Sequence, residues 1–360
     1  MADPASLRGV PRGAHDVRSC AELFAEFART ATQRAPLYES MAAGIARDGE
    51  LAARLLHAPL RQRQPVLFLA SVHYLLLIGR EDLGLRAHYP NLTAMPDRGD
   101  PMPALRRFCA RHAEELAVLL ATRSTQTNEI GRCSLLLPAF ALVASEVGAL
   151  AHLDVGASAG LNLLLDRYAY AYEPGGSVGG PSSVALRCGT RGDPPIPSSM
   201  PAVVERRGLD RCPLDVHDLD QSRWLAACVW PDQTDRSERL RSALAIARTS
   251  DLDVVAGDAV ADTGALVRAA TAHPVVTNTW VLNYLSGDER DAYVAVLDAC
   301  GSERDLSWVF AESPVLVPEL PVADRHETAT SLVLVRWRDG RRSVDHLARC
   351  HPHGYWMHWG

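Results

Sequence analysis

A chain of 360 residues with 47% hydrophobic content has ample apolar material for one large domain or two smaller ones, and is not composed like a disordered segment. Its 37 Lys plus Arg against 43 Asp plus Glu give a net charge of -6, which excludes a general electrostatic grip on nucleic acid or an anionic membrane. Small molecules are the expected partner class, and nothing in the composition fixes an oligomeric state. Met1 to Arg12 carries no basic segment followed by an apolar run, and the apolar stretches read as broken by charge short of a membrane span, so a cytoplasmic location is expected. The eight cysteines form no Cys-x-x-Cys pair, and neither a disulfide framework nor a metal site is suggested.

From Val17 to Leu150 the apolar spacing predicts helices over Cys20 to Arg34, Leu37 to His57, Pro65 to Arg80 and Met102 to Arg123, with no strand. Pro96 to Pro103 marks a loop, and the run Leu135 to Ala144 reads as a buried helix with a kink or late start at Pro138. After residue 150 short apolar strands alternate with helices, the grammar of a wound α/β sheet. The strands are expected at His152 to Val155, Ala202 to Leu209, Asp253 to Gly257, Pro274 to Asn278 and Ser307 to Ala311. Helices are expected at Ala159 to Arg167, Asp220 to Trp230, Thr234 to Arg248, Asp262 to Ala272 and Asp288 to Cys300. Arg338-Asp339-Gly340 reads as the turn of a hairpin between Ser331 to Trp337 and Arg342 to Leu347. The reading is thus a helical domain over 1–150 and an α/β domain over 151–360, interrupted by a Gly/Pro/Ser-rich insertion at about 168–200.

The segment from Leu153 to Asn162, Leu-Asp-Val-Gly-Ala-Ser-Ala-Gly-Leu-Asn, admits two functions. As Asp-x-Gly-x-x-x-Gly it is a nucleotide-type loop, in which Gly156 and Gly160 let the backbone approach a ligand and Asp154 accepts from a bound amine or hydroxyl. As Gly-Ala-Ser-Ala-Gly it is a nucleophile elbow presenting Ser158, and Ser158, Asp258 and His351 occur in the chain order of a hydrolase triad. The elbow would follow the first strand, however, with no upstream strand to supply an oxyanion loop. Other strand ends favour the nucleotide reading, because an open α/β sheet binds ligands outside the carboxyl ends of its strands. Asp210 ends the second and suits ribose hydroxyls. Gly257, Asp258 and Ala259 end the third, where Asp258 could accept from an adenine amine or simply cap a helix.

On the Asp154 to Gly160 loop, the Gly-Leu-Asp-Arg-Cys-Pro segment at 208–213, the Gly257-Asp258-Ala259 segment and the terminal hairpin, residues 150–360 resemble the class I S-adenosylmethionine-dependent methyltransferases. The resemblance implies a Rossmann-like seven-stranded sheet with one antiparallel strand. It also implies S-adenosylmethionine bound by Asp154, Gly156, Ser158, Gly160, Asn162, Asp210, Gly257, Asp258 and Ala259. Ser158 stands where that pattern most often has glycine, and the insertion widens the gap from Gly156 to Asp210, leaving Glu205 as the alternative ribose ligand. The whole chain also resembles an uncharacterised bacterial family, a domain of unknown function (DUF2332). The segments that carry this are 127–132 (Thr-Asn-Glu-Ile-Gly-Arg), the glycine loop through Asn162, 188–192 (Cys-Gly-Thr-Arg-Gly) and Trp230-Pro231.

Methyl transfer requires an acceptor held in line with the methyl group and often a base. The polar segment 125–132 reads as a lid loop presenting Asn128 and Arg132 to substrate, or as a capped helix start. Trp280 is a further substrate contact. Glu129, Asn278, Glu312 and His351 are the candidates for the catalytic group. The terminal Cys350 to His358 cluster contains possible zinc ligands, but its spacing fits no closed zinc pattern and it reads as a surface tail. The resulting expectation is methyl transfer to a small-molecule metabolite. A binding module that keeps the nucleotide fold without turnover is the runner-up, and a serine hydrolase the third reading.

Overall fold

The computed structural model describes residues 15–316 and 329–360; the segment Met1 to Arg12 lies outside them. In chain order the helices and strands are α1 (Val17–Ala31), α2 (Pro36–Ile45), α3 (Gly49–Ala53), α4 (Pro65–Leu77), α5 (Met102–Arg111), α6 (Ala113–Thr122), α7 (Cys133–Val147), β1 (Leu150–Val155), β2 (Ala169–Glu173), β3 (Gly176–Val178), β4 (Ala185–Arg191), β5 (Val203–Asp210), α8 (Leu219–Ala227), α9 (Thr234–Ala247), β6 (Asp253–Ala256), α10 (Ala259–Ala269), β7 (His273–Thr279), α11 (Gly287–Glu303), β8 (Leu306–Glu312), β9 (Thr330–Arg338), β10 (Arg341–Cys350) and β11 (Trp356–Trp359).

The chain forms two compact units. One comprises Asn128–Val216 and Ser242–Gly360; the other is built from the residues up to Thr127 together with His217–Arg241. The sequence reading divided the chain near residue 150. The chain instead passes between units after Thr127, because α7 is apolar nearly all round and its side chains are buried with the sheet rather than with α1–α6.

In the helical unit the expected helix Leu37 to His57 is broken, since Asp48 caps a new start by accepting from Leu51 N. The stretch Met102 to Arg123 likewise divides at His112. Phe24 packs edge-on to Phe68 at 5.6 Å and Trp224 to Tyr74 at 5.7 Å, so α8 closes the core begun by α1 and α4. Asp220 accepts from both the Tyr74 hydroxyl and Arg123, and the Arg123 guanidinium lies 5.5 Å over the Trp224 ring.

The other unit is mixed α/β around an eleven-stranded mixed sheet of order β3-β2-β4-β11-β10-β9-β8-β7-β1-β5-β6. Strands β6, β5, β1, β7 and β8 are mutually parallel. β9 and β10 follow as an antiparallel meander. Two features depart from the sequence reading. The insertion, long enough by its sequence for a flap or an extra hairpin, forms the hairpin β2–β3 and adds β4 beside it, and the terminal segment read as a surface tail enters the sheet as β11, pairing parallel with β4 and antiparallel with β10. The expected helix at Ala159 to Arg167 is a 3-10 segment, Leu161–Arg167, irregular at Leu164.

Alternation along the parallel strands sorts their side chains onto two faces. Leu153, Val155, Val276, Trp308 and Phe310 join a core with Leu266 and Val267 of α10 and Tyr293 and Leu297 of α11. His152 lies on the other face, with its ring centroid 4.8 Å from that of Phe140 in α7.

By length and composition one helical run among the described residues, Ile130–Val147, could cross a membrane. This amends the sequence reading, which found every apolar stretch too short. The run is 67% buried, as the core helix of a soluble protein would be.

Candidate functional site

The chain runs from β1 outward through β5 to β6, then returns to the other side of β1 for β7 and β8. The direction therefore reverses between β1 and β7, and a crevice outside the carboxyl ends of strands at such a reversal is where open α/β sheets bind ligands. Register brings Asp154 of β1 opposite Gly208 of β5 and Thr277 of β7. The glycine loop thus starts at the reversal.

The loop is held by its own backbone. Gly156 N and Ala157 N both donate to Leu209 O, at 2.7 and 3.2 Å, and Gly160 N donates to Ala157 O. Gly156 has φ +87°, and a β-carbon there would lie 2.4 Å from Val281 Cγ2, so packing alone demands glycine. Ser158 has φ +53°. Its amide donates to Asp210 Oδ2 at 2.7 Å, and its hydroxyl accepts from Asn128 Nδ2. Asp210 Oδ1 accepts from Cys212 N at 2.8 Å, so the carboxylate fixes both its own turn and the glycine loop. Asn162 donates from Nδ2 to Thr279 Oγ1 at 3.3 Å.

Asp154 is buried, and the Thr277 hydroxyl donates to its Oδ1 at 2.7 Å. His152 Nε2 lies 3.0 Å from the same Thr277 oxygen. A hydroxyl has one proton, which Thr277 gives to Asp154, so His152 must present Nε2–H. Burial pushes the Asp154 carboxyl up to about 6, aided by the nearby Asp210 charge and opposed by Thr277 and Arg132. Burial likewise drives His152 down to about 3, which keeps its ring neutral.

A second group assembles at the end of β7 from segments more than two hundred residues apart. Glu129 is 1% exposed; its Oε1 accepts from Gly131 N at 3.0 Å and its Oε2 lies 3.1 Å from His353 Nδ1. Arg132 donates to Thr279 O at 2.8 Å and to Pro352 O at 2.9 Å. His351 Nδ1 accepts from His353 N at 3.0 Å. The 128–132 segment and the terminal turn therefore form one structure beside the crevice. Among the described residues, no three His, Cys, Asp or Glu side chains converge as metal ligands would.

The remaining candidates lie in different settings. Asn278 is fully buried: its Nδ2 donates to Val155 O at 2.9 Å, and its Oδ1 accepts from Tyr293 Oη at 2.9 Å and Trp308 Nε1 at 2.8 Å. It ties β7 to β1 and α11. Asp258 caps α10, accepting from Val260 N and Ala261 N, while its Oδ2 meets Arg211 at 3.0 Å. That guanidinium and the two amides hold its carboxyl below the ordinary range. Ala259 opens α10, and a β-carbon at Gly257 would meet Leu209 Cδ1 at 2.6 Å. Trp280 has φ +58° and donates from Nε1 to Thr330 Oγ1 at 3.1 Å. Glu312, fully buried at the end of β8, accepts through Oε1 from Val281 N and Leu282 N. Burial pushes its carboxyl up to about 7. Glu205, the alternative ribose ligand, instead accepts from Thr271 N and Oγ1, both at 2.8 Å.

The chain belongs to the family described as an uncharacterized protein conserved in bacteria (DUF2332). The family model matches residues 21–359, nearly the whole chain and both units. No curated protein and no solved structure matches it.

Three residues of this candidate site were not put forward as site residues from the sequence: His353, Thr277 and Val281. His353 stands in the His-Pro-His cluster, but its pairing with Glu129 depends on a terminal strand joining β4. Thr277 and Val281 carry no chemical signal by type. Only their place at the strand reversal could have marked them.

Proposed function

We propose that the protein transfers a methyl group from S-adenosylmethionine to a small-molecule metabolite. One observation carries the reading: a glycine-turned loop leaves the strand at which the parallel sheet reverses direction, and a carboxylate from the neighbouring strand end sits against that loop. The reading assigns the unit a Rossmann-like, methyltransferase-type architecture in its five parallel strands.

The residues fit the cofactor in part. Each Asp210 oxygen holds one backbone amide, which leaves each a further lone pair for a ribose hydroxyl. Asp154 would accept from the amine of the cofactor's amino-acid portion. Asp258 fits less well, because an adenine amine would compete with both the α10 cap and Arg211. When bound, the cofactor supplies an activated methyl group with its own leaving group. The chain's part is to hold the acceptor in line, exclude water and take up a proton. Asn128 and Arg132 are positioned by Ser158, Thr279 and Pro352 to orient an acceptor, and Trp280 offers an aromatic wall. Glu129 with His353 is the pair able to accept a proton, and Glu312 and His351 are further titratable candidates. Asn278 contributes by fixing the β7 end.

Calorimetric titration with S-adenosylmethionine and S-adenosylhomocysteine tests the proposal. Saturable binding by the parent and at least tenfold weaker binding by Asp210→Asn are expected; equal binding by the two proteins overturns the site. Gly156→Arg is the less discriminating variant, since it would disturb Val281 with or without a ligand. Binding without S-adenosylhomocysteine formation from any acceptor would identify a module that binds but does not turn over.

The φ of +53° at Ser158, directly after β1, favours a second reading as a hydrolase nucleophile. Against it, a 3-10 segment rather than a regular helix follows the loop. Covalent labelling of Ser158 by a fluorophosphonate supports that reading, and its absence removes it.

A further inference from the structure

The residues after β7 lie across the glycine loop, and one buried carboxylate holds the two amides nearest to it. Besides the 2.4 Å approach of Cγ2, Val281 Cγ1 would lie 2.8 Å from a β-carbon on Gly156, so this side chain covers the loop at the strand reversal. Glu312 Oε1 accepts from Val281 N at 2.6 Å and Leu282 N at 3.1 Å. The segment enters through Trp280, whose φ of +58° is a left-handed conformation that bulky L residues rarely adopt. It leaves through Arg290, which donates to Leu285 O at 2.6 Å. Leu282 and Leu285 are rooted in the core, whereas Tyr284 is 69% exposed and Val281 half-buried. The movable part is therefore short and lies over Gly156.

Glu312 is an expensive way to hold two amides. Its other oxygen, Oε2, is buried with no hydrogen-bond partner among the described residues, and a neutral side chain could accept the same bonds with less desolvation. The groups that face it are Arg132 before α7 and Arg290 and Tyr293 of α11; its nearest neighbour in β9, Ser331, is neutral. Burial outweighs the two arginines and raises its carboxyl to about 7, so the strength of its grip on the amides changes near neutral pH.

We propose that residues 280–285 form a gate over the Gly156–Gly160 loop and that Glu312 is its latch, with Val281 moving off Gly156 to admit a ligand. The gate rests on the reading that a ligand binds at this loop; the latch does not.

Amide hydrogen exchange on the ligand-free parent and on Glu312→Leu, whose side chain offers the two amides no acceptor, reads the latch directly. We expect the Val281 and Leu282 amides to exchange at least tenfold faster in Glu312→Leu while those of β1 and β7 are unchanged. Parent-like exchange at these two amides, or faster exchange throughout the sheet, overturns the latch. Stopped-flow association of S-adenosylhomocysteine, followed by tryptophan fluorescence, reads the gate in Val281→Ala, which removes the covering methyl groups and leaves Glu312 intact. An association rate constant at least fivefold above the parent's is expected, and an equal one overturns the gate. If neither protein binds S-adenosylhomocysteine, the ligand reading and the gate fall together, while the exchange comparison still decides the latch.

Discussion

Carboxylates stand at the ends of four parallel strands, and the two on β5 and β6 differ in kind from the two on β1 and β8. Asp210 and Asp258 are partly exposed and committed to backbone amides, as turn-forming and helix-capping residues are. Asp154 and Glu312 are buried, and desolvation pushes both upward toward neutrality. A carboxylate in an equivalent topological position accepts from turn amides where water reaches it and is pushed toward its neutral acid where water does not. In the sheet order the change from one setting to the other falls between β1 and β5.

The comparison breaks most readily at Gly156, which joins them. Gly156→Ala must accommodate both the 2.4 Å approach to Val281 and a positive φ, and should cost about 2–5 kcal/mol in chemical denaturation. A loss below 1 kcal/mol would mean that Val281 yields easily and does not cover the loop.

Next in size is a pH effect at Glu312. Its folded pKa of about 7 exceeds the ordinary 4.5, so the folded state binds this proton more tightly than the unfolded state. The stability it contributes is complete below the unfolded value and is lost as pH rises through the folded one. Glu312→Gln lacks this dependence. Between about pH 4.5 and 8 the parent should therefore lose on the order of 3 kcal/mol relative to the variant. Parallel stability profiles for the two proteins would place Glu312 in the same class as Asp210.

At Asp258 the expected loss is smaller, about 1 kcal/mol for Asp258→Ala, the usual value of an N-cap. This measurement sharpens the comparison when paired with cofactor titration: a stability loss with unchanged binding assigns Asp258 to structure alone. Arg211→Ala should change stability by less than about 0.5 kcal/mol, because its ion pair with Asp258 is largely exposed.

Much of the parallel half of the sheet was legible because each strand is a short apolar run bounded by Gly, Pro or Asp. The observed β5, β7 and β8 fall within one or two residues of the ranges read from the sequence. Break points inside helical stretches were not legible, since the signals at Asp48 and His112 are single residues within long apolar periodicity. The far half of the sheet was hidden for a different reason: β11 takes its place beside β4 only through pairing across more than 160 residues. In the candidate site, residue type and position at strand ends pointed to Asp154, Gly156, Asp210 and Glu312, and a polar segment between two apolar helical runs pointed to Glu129. Burial, which separates the two classes of carboxylate, is a property of the packed structure and leaves no local trace.

The route of the chain bears on how the molecule can be dissected. It leaves the sheet unit after Val216, contributes Trp224 and Trp230 to the core of the helical unit, and returns at Ser242. A polypeptide ending at Thr127 would thus lack two of the aromatic side chains around which its helices close, and one beginning at Asn128 would carry those tryptophans with no core to enter. Neither half is a separable module. Recombinant fragments cut between Thr127 and Asn128 should be insoluble or molten, whereas coexpressed halves have the means to complement each other.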